Sequence, residues 1–283
     1  MLSFDFLTFH SLDTEPFQNY FDKKFVFFSK DYTMAMKELT KYSILKNSSF
    51  FLLSGDVGIG KTFLVESFKE AIDRRVFLPV HLKEPKSTEE DLIKRILEYL
   101  YTPKERNLIY TYSQGHCESL FEDSLKSIYE QGRFLLLFID ECQAYDKKML
   151  DYIRRLSNIH VDLDGKSVAA HSTILIGQPE IFSLVQGIDN LYSRVTHSYF
   201  LNRLSEEEVR DYIQFRLTQA GHPTGDIFSK KEIISEIWNY SRGIPREINK
   251  IATAVLQESA FQEIREFDEE FVAEIRRTLE KRW

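Results

Sequence analysis

Cysteine is scarce in this chain, with two in 283 residues, Cys117 and Cys142, and neither a C-x-x-C spacing nor a metal-ligand pattern around them. That excludes a disulfide-stapled scaffold and a structural zinc site, and it predicts reduced thiols in a reducing compartment. Long apolar runs are also missing, since none reaches the roughly 20 residues that cross a bilayer. The opening residues, Met1-Leu2-Ser3-Phe4-Asp5, are apolar but lack the basic flank and small-residue cleavage site of a secretory leader, so the expectation is a cytoplasmic protein with no membrane span. Positive charge is in deficit: 37 Lys and Arg against 44 Asp and Glu leave a formal net charge of −7. Bulk electrostatics will not coat nucleic acid with such a chain, although a local basic stripe stays open. Internal repeats and low-complexity tracts are absent too.

What the chain does have is apolar residue, 43% of the total, enough for a large α/β core and a smaller companion. Strand-type runs recur at 50–53, 76–82, 134–139, 173–176 and 197–201, with helical periodicity between most of them. Such alternation predicts crossover connections and a parallel sheet covered on both faces. Leu92, Ile93, Ile96, Leu97 and Leu100 share one helical face, as do Leu120, Leu125 and Ile128. The polar stretch 102–116 between them, with Pro103 and Gly115, reads as a loop or short insertion. After Leu201 the strand signal stops. Ser205 with Glu208 and Ser229 with Glu232 read as capping boxes, and further helices are expected over 246–260 and 268–281, the last with Arg276, Arg277, Lys281 and Arg282 near its end. The division expected is an N-terminal segment and first helix over 1–45, an α/β nucleotide-binding subdomain over 46–203 and a helical lid over 204–283.

Chemistry enters at residues 55–62. Gly55, Asp56, Val57, Gly58, Ile59, Gly60, Lys61 and Thr62 form a complete G-x-x-x-x-G-K-[ST] phosphate loop, entered by an apolar strand and left through Phe63 into a helix over 63–72. Glycine lets the backbone come close to phosphate oxygens, and the N–H groups there converge at the positive end of the helix. Lys61 would reach the β- and γ-phosphates of ATP, and Thr62 would place its hydroxyl on Mg²⁺. A second run, Leu135 to Ile139, ends in Asp140 and Glu141. The first acid suits hydrated Mg²⁺ and the second can polarise a water for in-line attack, which favours hydrolysis over mere binding. Cys142 has no histidine nearby in sequence to serve as its base and reads as a packed residue. Gln178, after the run 174–176, either senses the γ-phosphate or the attacking water, or simply opens a turn with Pro179. Arg194, ahead of the last strand, is a candidate finger on a neighbouring subunit's nucleotide, and Arg246, after Gly243-Ile244-Pro245, a candidate γ-phosphate contact in cis. Surface arginines are common, so spacing alone leaves both roles open.

With these residues in view, the chain resembles the AAA+ ATPases and, more narrowly, the general secretion pathway A (ExeA-type) family. The resemblance runs through Glu15-Pro16-Phe17, Phe27-Phe28-Ser29, the stretch from Leu53 to Thr62, Ile139-Asp140-Glu141-Cys142-Gln143 and Ile174-Leu175-Ile176-Gly177-Gln178-Pro179-Glu180. It continues through Leu204-Ser205-Glu206-Glu207-Glu208-Val209, Tyr212-Ile213, Arg216-Leu217, Ala220-Gly221 and Gly243-Ile244-Pro245-Arg246-Glu247-Ile248-Asn249, nearly the whole chain. It implies a P-loop fold with a five-stranded parallel sheet in the order 5-1-4-3-2 and a helical lid. It further implies Gln178 as first sensor, Arg194 as trans finger, Arg246 as second sensor, and an adenine pocket to which residues 27–30 contribute. Full members of that family carry a membrane span and a peptidoglycan-binding domain after the ATPase, and neither precedes Trp283 here. The same core is similar to transposition-regulator ATPases of the Mu B type.

Three functions are therefore in play. One is an ATP-driven homo-oligomer acting as an assembly switch, in a secretion or envelope-type machine with a protein partner whose identity the sequence leaves open. Another is an ATP-dependent DNA-binding adaptor recruiting a recombinase, with Lys147, Lys148, Arg154, Arg155 and Lys166 as its basic residues or merely as a solvated helix face. The third is a nucleotide-binding scaffold without turnover.

Overall fold

A parallel strand buried on both faces is built from a largely apolar run, and the five strand-type runs in the sequence all become strands, the last of them at the edge of the sheet. A computed structural model describes residues 5–163 and 165–281; the residues before Asp5, read above for a leader, and Arg282 lie outside it. The strands are β1 Phe50–Gly55, β2 Phe77–Leu82, β3 Phe134–Ile139, β4 Val161–Leu163, β5 Lys166–Val168, β6 His171–Gly177 and β7 Val195–Leu201. The helices are α1 Phe6–Phe9, α2 Lys30–Ile44, α3 Lys61–Ala71, α4 Glu89–Leu100, α5 Pro103–Ile109, α6 Gln114–Glu130, α7 Lys147–Leu156, α8 Ile181–Gln186, α9 Asp189–Tyr192, α10 Glu206–Gln219, α11 Lys231–Ser241, α12 Pro245–Phe261 and α13 Glu269–Glu280. They sort into two compact units, one of residues 34–55 and 64–201, the other of 5–33, 56–63 and 202–281.

The first unit is the α/β unit. Its five-stranded parallel sheet runs β2-β3-β6-β1-β7, which is the expected order 5-1-4-3-2 when the five sheet strands are counted along the chain. β3 and β6 are buried at every position. β7 pairs only with β1 among the described strands, and it alternates half-buried and exposed residues from Val195 to Phe200, the period-2 pattern of an edge. The register sets Leu52 of β1 and Ile139 of β3 both opposite Leu175 of β6, so the three strands run to the same edge, with β3 ending two residues short of Gly177 and β1 one residue beyond it. One core joins Leu52, Leu137 and Leu175 of the sheet to Leu92, Ile96, Phe121 and Leu125 of the crossover helices.

One stretch read as a loop or short insertion and one unforeseen pair of strands stand out in this unit. The stretch 102–116 is helical over α5, because Pro103 occupies the first helical position and Glu105 accepts from both the backbone N–H and the hydroxyl of Thr102. The antiparallel pair β4–β5 is new, since three-residue strands are too short to show a period.

His171, at the start of β6, is fully buried, and neither ring nitrogen has a hydrogen-bond partner. Burial pushes its pKa down to about 4, so the folded state keeps the ring neutral where the unfolded chain would protonate it. The unfolded state then binds more protons between about pH 4 and 6.5, and stability falls as pH drops through that window, by up to roughly 3 kcal/mol. His171→Phe should remove that part of the pH slope; urea titrations of both proteins at pH 7.5 and 4.5 measure it.

The second unit is helical. Val209, Ile213 and Leu217 of α10, Ile233 and Ile237 of α11, Ile248, Ile251 and Val255 of α12 and Val272 of α13 form its core, joined by Leu12, Phe17 and Phe25 from the N-terminal segment. The Ser205 box is present: Glu208 N–H donates to Ser205 Oγ at 3.2 Å and Ser205 N–H to Glu208 Oε2 at 3.1 Å. The Ser229 box is not. Ser229 is drawn into a turn on Asp226, and α11 starts one residue later, at a Lys230 N-cap without a side-chain bond. Asp268 caps α13 through Phe271 N–H, as the acids at its start suggest.

Candidate functional site

The residues nominated from sequence fall into two groups, one in each unit. In the helical unit lies the loop from Asp56 to Gly60. Gly58 and Gly60 have φ of 78° and 106°, a left-handed backbone that side chains rarely adopt. Gly58 has a second constraint, because a Cβ there would stand 2.7 Å from Arg246 Cβ. The loop can therefore take the N-terminus of α12 against it, and Arg246 N–H points to Gly58 O at 3.3 Å. The Arg246 side chain is exposed and forms no ion pair among the described residues. Lys61 is buried, its ammonium donating to Asp56 O at 2.9 Å, and Ile59 anchors the loop in the interior. Val57 stays exposed, and Thr62 is exposed as the second residue of α3. Phe63 is clasped by the N-terminal segment, its carbonyl accepting from Tyr32 Oη at 3.2 Å and its ring edge-on to Phe21.

Arg203 was not singled out from sequence. It donates to Asp56 Oδ2 at 2.6 Å, so the loop carries an ion pair with a residue 147 positions away. No local pattern announces that pairing. Of the residues expected to contribute to an adenine pocket, Phe27 packs on Tyr212 and Phe215 of α10, whereas Phe28 is exposed beside Tyr32.

In the α/β unit, β1, β3 and β6 run in parallel to one edge of the sheet and carry Gly55, Asp140 and Gln178 there, with Asp140 two positions short of Gln178. This is the carboxyl edge, where open parallel sheets bind ligands. Asp140 is buried and its Oδ1 accepts from Glu141 N–H at 2.8 Å. His81, at the end of β2 and fully buried, spans two carboxylates: Nδ1 lies 3.1 Å from Glu66 Oε1, and Nε2, with no hydrogen-bond partner, stands 3.7 Å from Asp140 Oδ2. The His81 bond, reinforced by Lys69 and Lys83, holds the Glu66 carboxyl well below the usual carboxylate range. Glu141 is exposed, on a left-handed backbone with φ 56°. The side chain of Gln178 makes no hydrogen bond among the described residues and its backbone N–H meets Gln143. Cys142 is a packed residue: it is fully buried and burial pushes its thiol far up, out of nucleophile range.

Arg194 stands apart from these groups. Its carbonyl accepts from Phe50 N–H, so it lies at the amino edge of the sheet, and the five residue steps of β1 put that edge roughly 17 Å from Gly55. Its guanidinium is held by Ser157 Oγ at 3.2 Å. The structure thus does not bring Arg194 together with Asp140 and Gln178 in one chain. The basic residues nominated for DNA are largely paired: Arg154 with Asp151 at 2.7 Å, Arg155 with Glu89 at 3.2 Å and Lys148 with Glu89 at 3.9 Å.

Residues 44–185 match the family model described as AAA domain. The chain is 28% identical over 254 residues to General secretion pathway protein A of Aeromonas hydrophila, an alignment covering 88% of this chain and 44% of that protein. It therefore spans under half the length of that relative. Among solved structures, the Aeropyrum pernix ORC2 protein in its ADP form is similar with a TM-score of 0.68 and 15% identity, over 93% of this chain and 72% of that one. Cdc6p from Pyrobaculum aerophilum is similar with a TM-score of 0.62 and 14% identity, over 89% and 67%. At such identities the likeness is one of fold. No helix among the described residues is long and apolar enough to cross a membrane.

Proposed function

The chain belongs to the AAA domain family, and on that premise we propose that it binds ATP and hydrolyses it to switch its own state of assembly. The observation that carries this reading is the carboxyl edge of the sheet, which gathers the end of the strand leading into the phosphate loop, the acid pair after β3 and Gln178 after β6. Its working division is an N-terminal segment with the first helix over 1–45, a nucleotide-binding subdomain over 46–203 and a lid over 204–283.

Backbone N–H groups from Asp56 to Thr62 hold the phosphates, and the Lys61 ammonium exchanges its Asp56 carbonyl for phosphate oxygens. Thr62 and Asp140 offer a hydroxyl and a buried carboxylate, the hard oxygen donors that suit Mg²⁺. When bound there, Mg²⁺ neutralises charge developing on the β- and γ-phosphates. Glu141 accepts a proton from water as the water oxygen bonds to the γ-phosphorus and the bond to ADP breaks. Gln178 orients that water with its uncommitted amide, and Arg246 closes on the γ-phosphate from α12.

Arg194 serves the nucleotide of a neighbouring copy, which fits its station at the opposite edge from Asp140. Binding and assembly are then linked, so ATP tightens self-association. Sedimentation velocity should show a larger species with ATP than with ADP, and Arg194→Ala should cut turnover at least tenfold while leaving ATP affinity within about twofold. An ATP-independent monomer with unaltered Arg194→Ala turnover would dismiss the shared site. The name of the Aeromonas relative supports a secretion-type machine, on the cytoplasmic side, as the setting. The ion pairs of Arg154, Arg155 and Lys148 count against a DNA adaptor that works by local positive charge.

A further inference from the structure

Glu141 and Gln178 are joined by a third residue. Gln143 sits in a 3-10 turn, Cys142–Ala144, whose first residue is locked into the core, with Cys142 Sγ 3.1 Å from Ile139 O. From there Gln143 Oε1 accepts from Gln178 N–H at 3.0 Å, and Gln143 Nε2 donates to Glu141 Oε2. Only one orientation of the amide satisfies both partners, because a backbone N–H must meet the oxygen and a carboxylate must meet the NH₂. The approach also depends on Gly177, where a Cβ would lie 2.9 Å from Gln143 Oε1.

We propose that Gln143 is the positioning residue of the hydrolytic centre, a tether that fixes the Glu141 carboxylate relative to the end of β6. The proposal rests on the reading of Glu141 as the proton acceptor. An exposed glutamate has three side-chain torsions to order, and this one starts from a left-handed backbone that costs about 1 to 2 kcal/mol for a residue with a Cβ. One amide, anchored through a buried turn and a strand end, removes most of that freedom before any nucleotide arrives. A general base held in place beforehand contributes through orientation, and misplacing it by an ångström costs on the order of 100-fold in rate.

The test compares wild type, Gln143→Ala, the shape-preserving Gln143→Met, Gly177→Ala and the double variant Gln143→Ala/Gly177→Ala. Gln143→Ala and Gln143→Met should each lower kcat by roughly 10- to 100-fold with KM and the Kd for a fluorescent ATP analogue unchanged. Gly177→Ala should do the same by crowding the amide, and the double variant should be no slower than Gln143→Ala, since both break one tether. Without nucleotide, Gln178 N–H should exchange with solvent at least tenfold faster in Gln143→Met than in wild type. A kcat within twofold of wild type for Gln143→Met, a loss expressed in KM alone, or a rise in turnover would overturn the tether. Wild-type turnover abolished by Glu141→Gln, beside an unimpaired Gln143→Met, removes only this inference. A wild type with no turnover removes the hydrolytic reading and the tether with it.

Discussion

ATP turnover by Glu141→Gln falls by 10²- to 10⁴-fold while ATP stays bound, the range expected when a general base is lost without loss of the binding site. The substitution is nearly isosteric and removes the capacity to take a proton. The carbonyl oxygen of the new amide still accepts from Gln143 Nε2, so the tether to Gln178 survives and the effect isolates the chemical step. Nothing in the loop from Asp56 to Phe63 is altered, and neither is the Lys61 contact. Phosphate release gives the rate, and retention of labelled ATP after gel filtration gives the trapped state. Turnover within threefold of wild type would remove Glu141 from the mechanism and revive the scaffold reading.

The contrast with Arg194 is informative. On the proposed reading Glu141 acts on nucleotide held by its own chain, so its loss should persist at every protein concentration. A contribution of Arg194 in trans, as proposed, should vanish when the protein is diluted below its self-association constant, because a monomer has no neighbour to supply a finger. Concentration dependence therefore separates the two roles.

The parallel sheet was legible because burial on both faces forces continuous apolar runs, as in the six buried residues of β3. The phosphate loop and the acid pair were legible because each is contiguous in sequence and ends a strand. What escaped were contacts between residues distant along the chain. Arg203 and Asp56 pair across 147 positions, and Gln143 and Gln178 across 35. Neither side chain carries a local signature, so only the fold can introduce them. His81 was hidden differently, as a polar residue inside an apolar strand whose partners, Glu66 and Asp140, belong to a helix and another strand. Capping signals were uneven for a physical reason. Ser205 and Ser229 have the same spacing to a glutamate, but the turn on Asp226 takes Ser229 out of the cap position.

Arg216→Ala destabilises the helical unit by about 4 kcal/mol, at the upper end for one substitution, and it does so without touching the nucleotide loop. Arg216 is 1% exposed in α10. Its guanidinium donates to the carbonyls of Pro16 at 2.5 Å, Gln18 at 2.8 Å and Phe25 at 3.5 Å, and lies over the rings of Phe25 and Tyr212. Burial pulls its pKa down from the usual arginine value, yet a guanidinium does not deprotonate in proteins, so a charge is carried into the interior and satisfied by backbone oxygens. Alanine leaves those oxygens without donors and a void beside two aromatic rings. Arg216→Met fills the volume and leaves the oxygens bare, so it recovers only part of the loss. Arg216→Lys retains the charge but, lacking the planar fork, cannot reach all three carbonyls, and it also falls short of wild type. The segment these bonds hold leads to Phe27 and then Tyr32, whose hydroxyl meets the carbonyl of Phe63 at the end of the loop. Loss of Arg216 should therefore weaken ATP binding as well, through an unfastened N-terminal segment. Urea denaturation measures the loss of stability, and limited proteolysis between residues 13 and 27, slow in wild type and fast in Arg216→Ala, measures the unfastening of the segment. Equal stability and equal protection in the two proteins would show that the carbonyls are satisfied by other donors and that Arg216 is not the fastening.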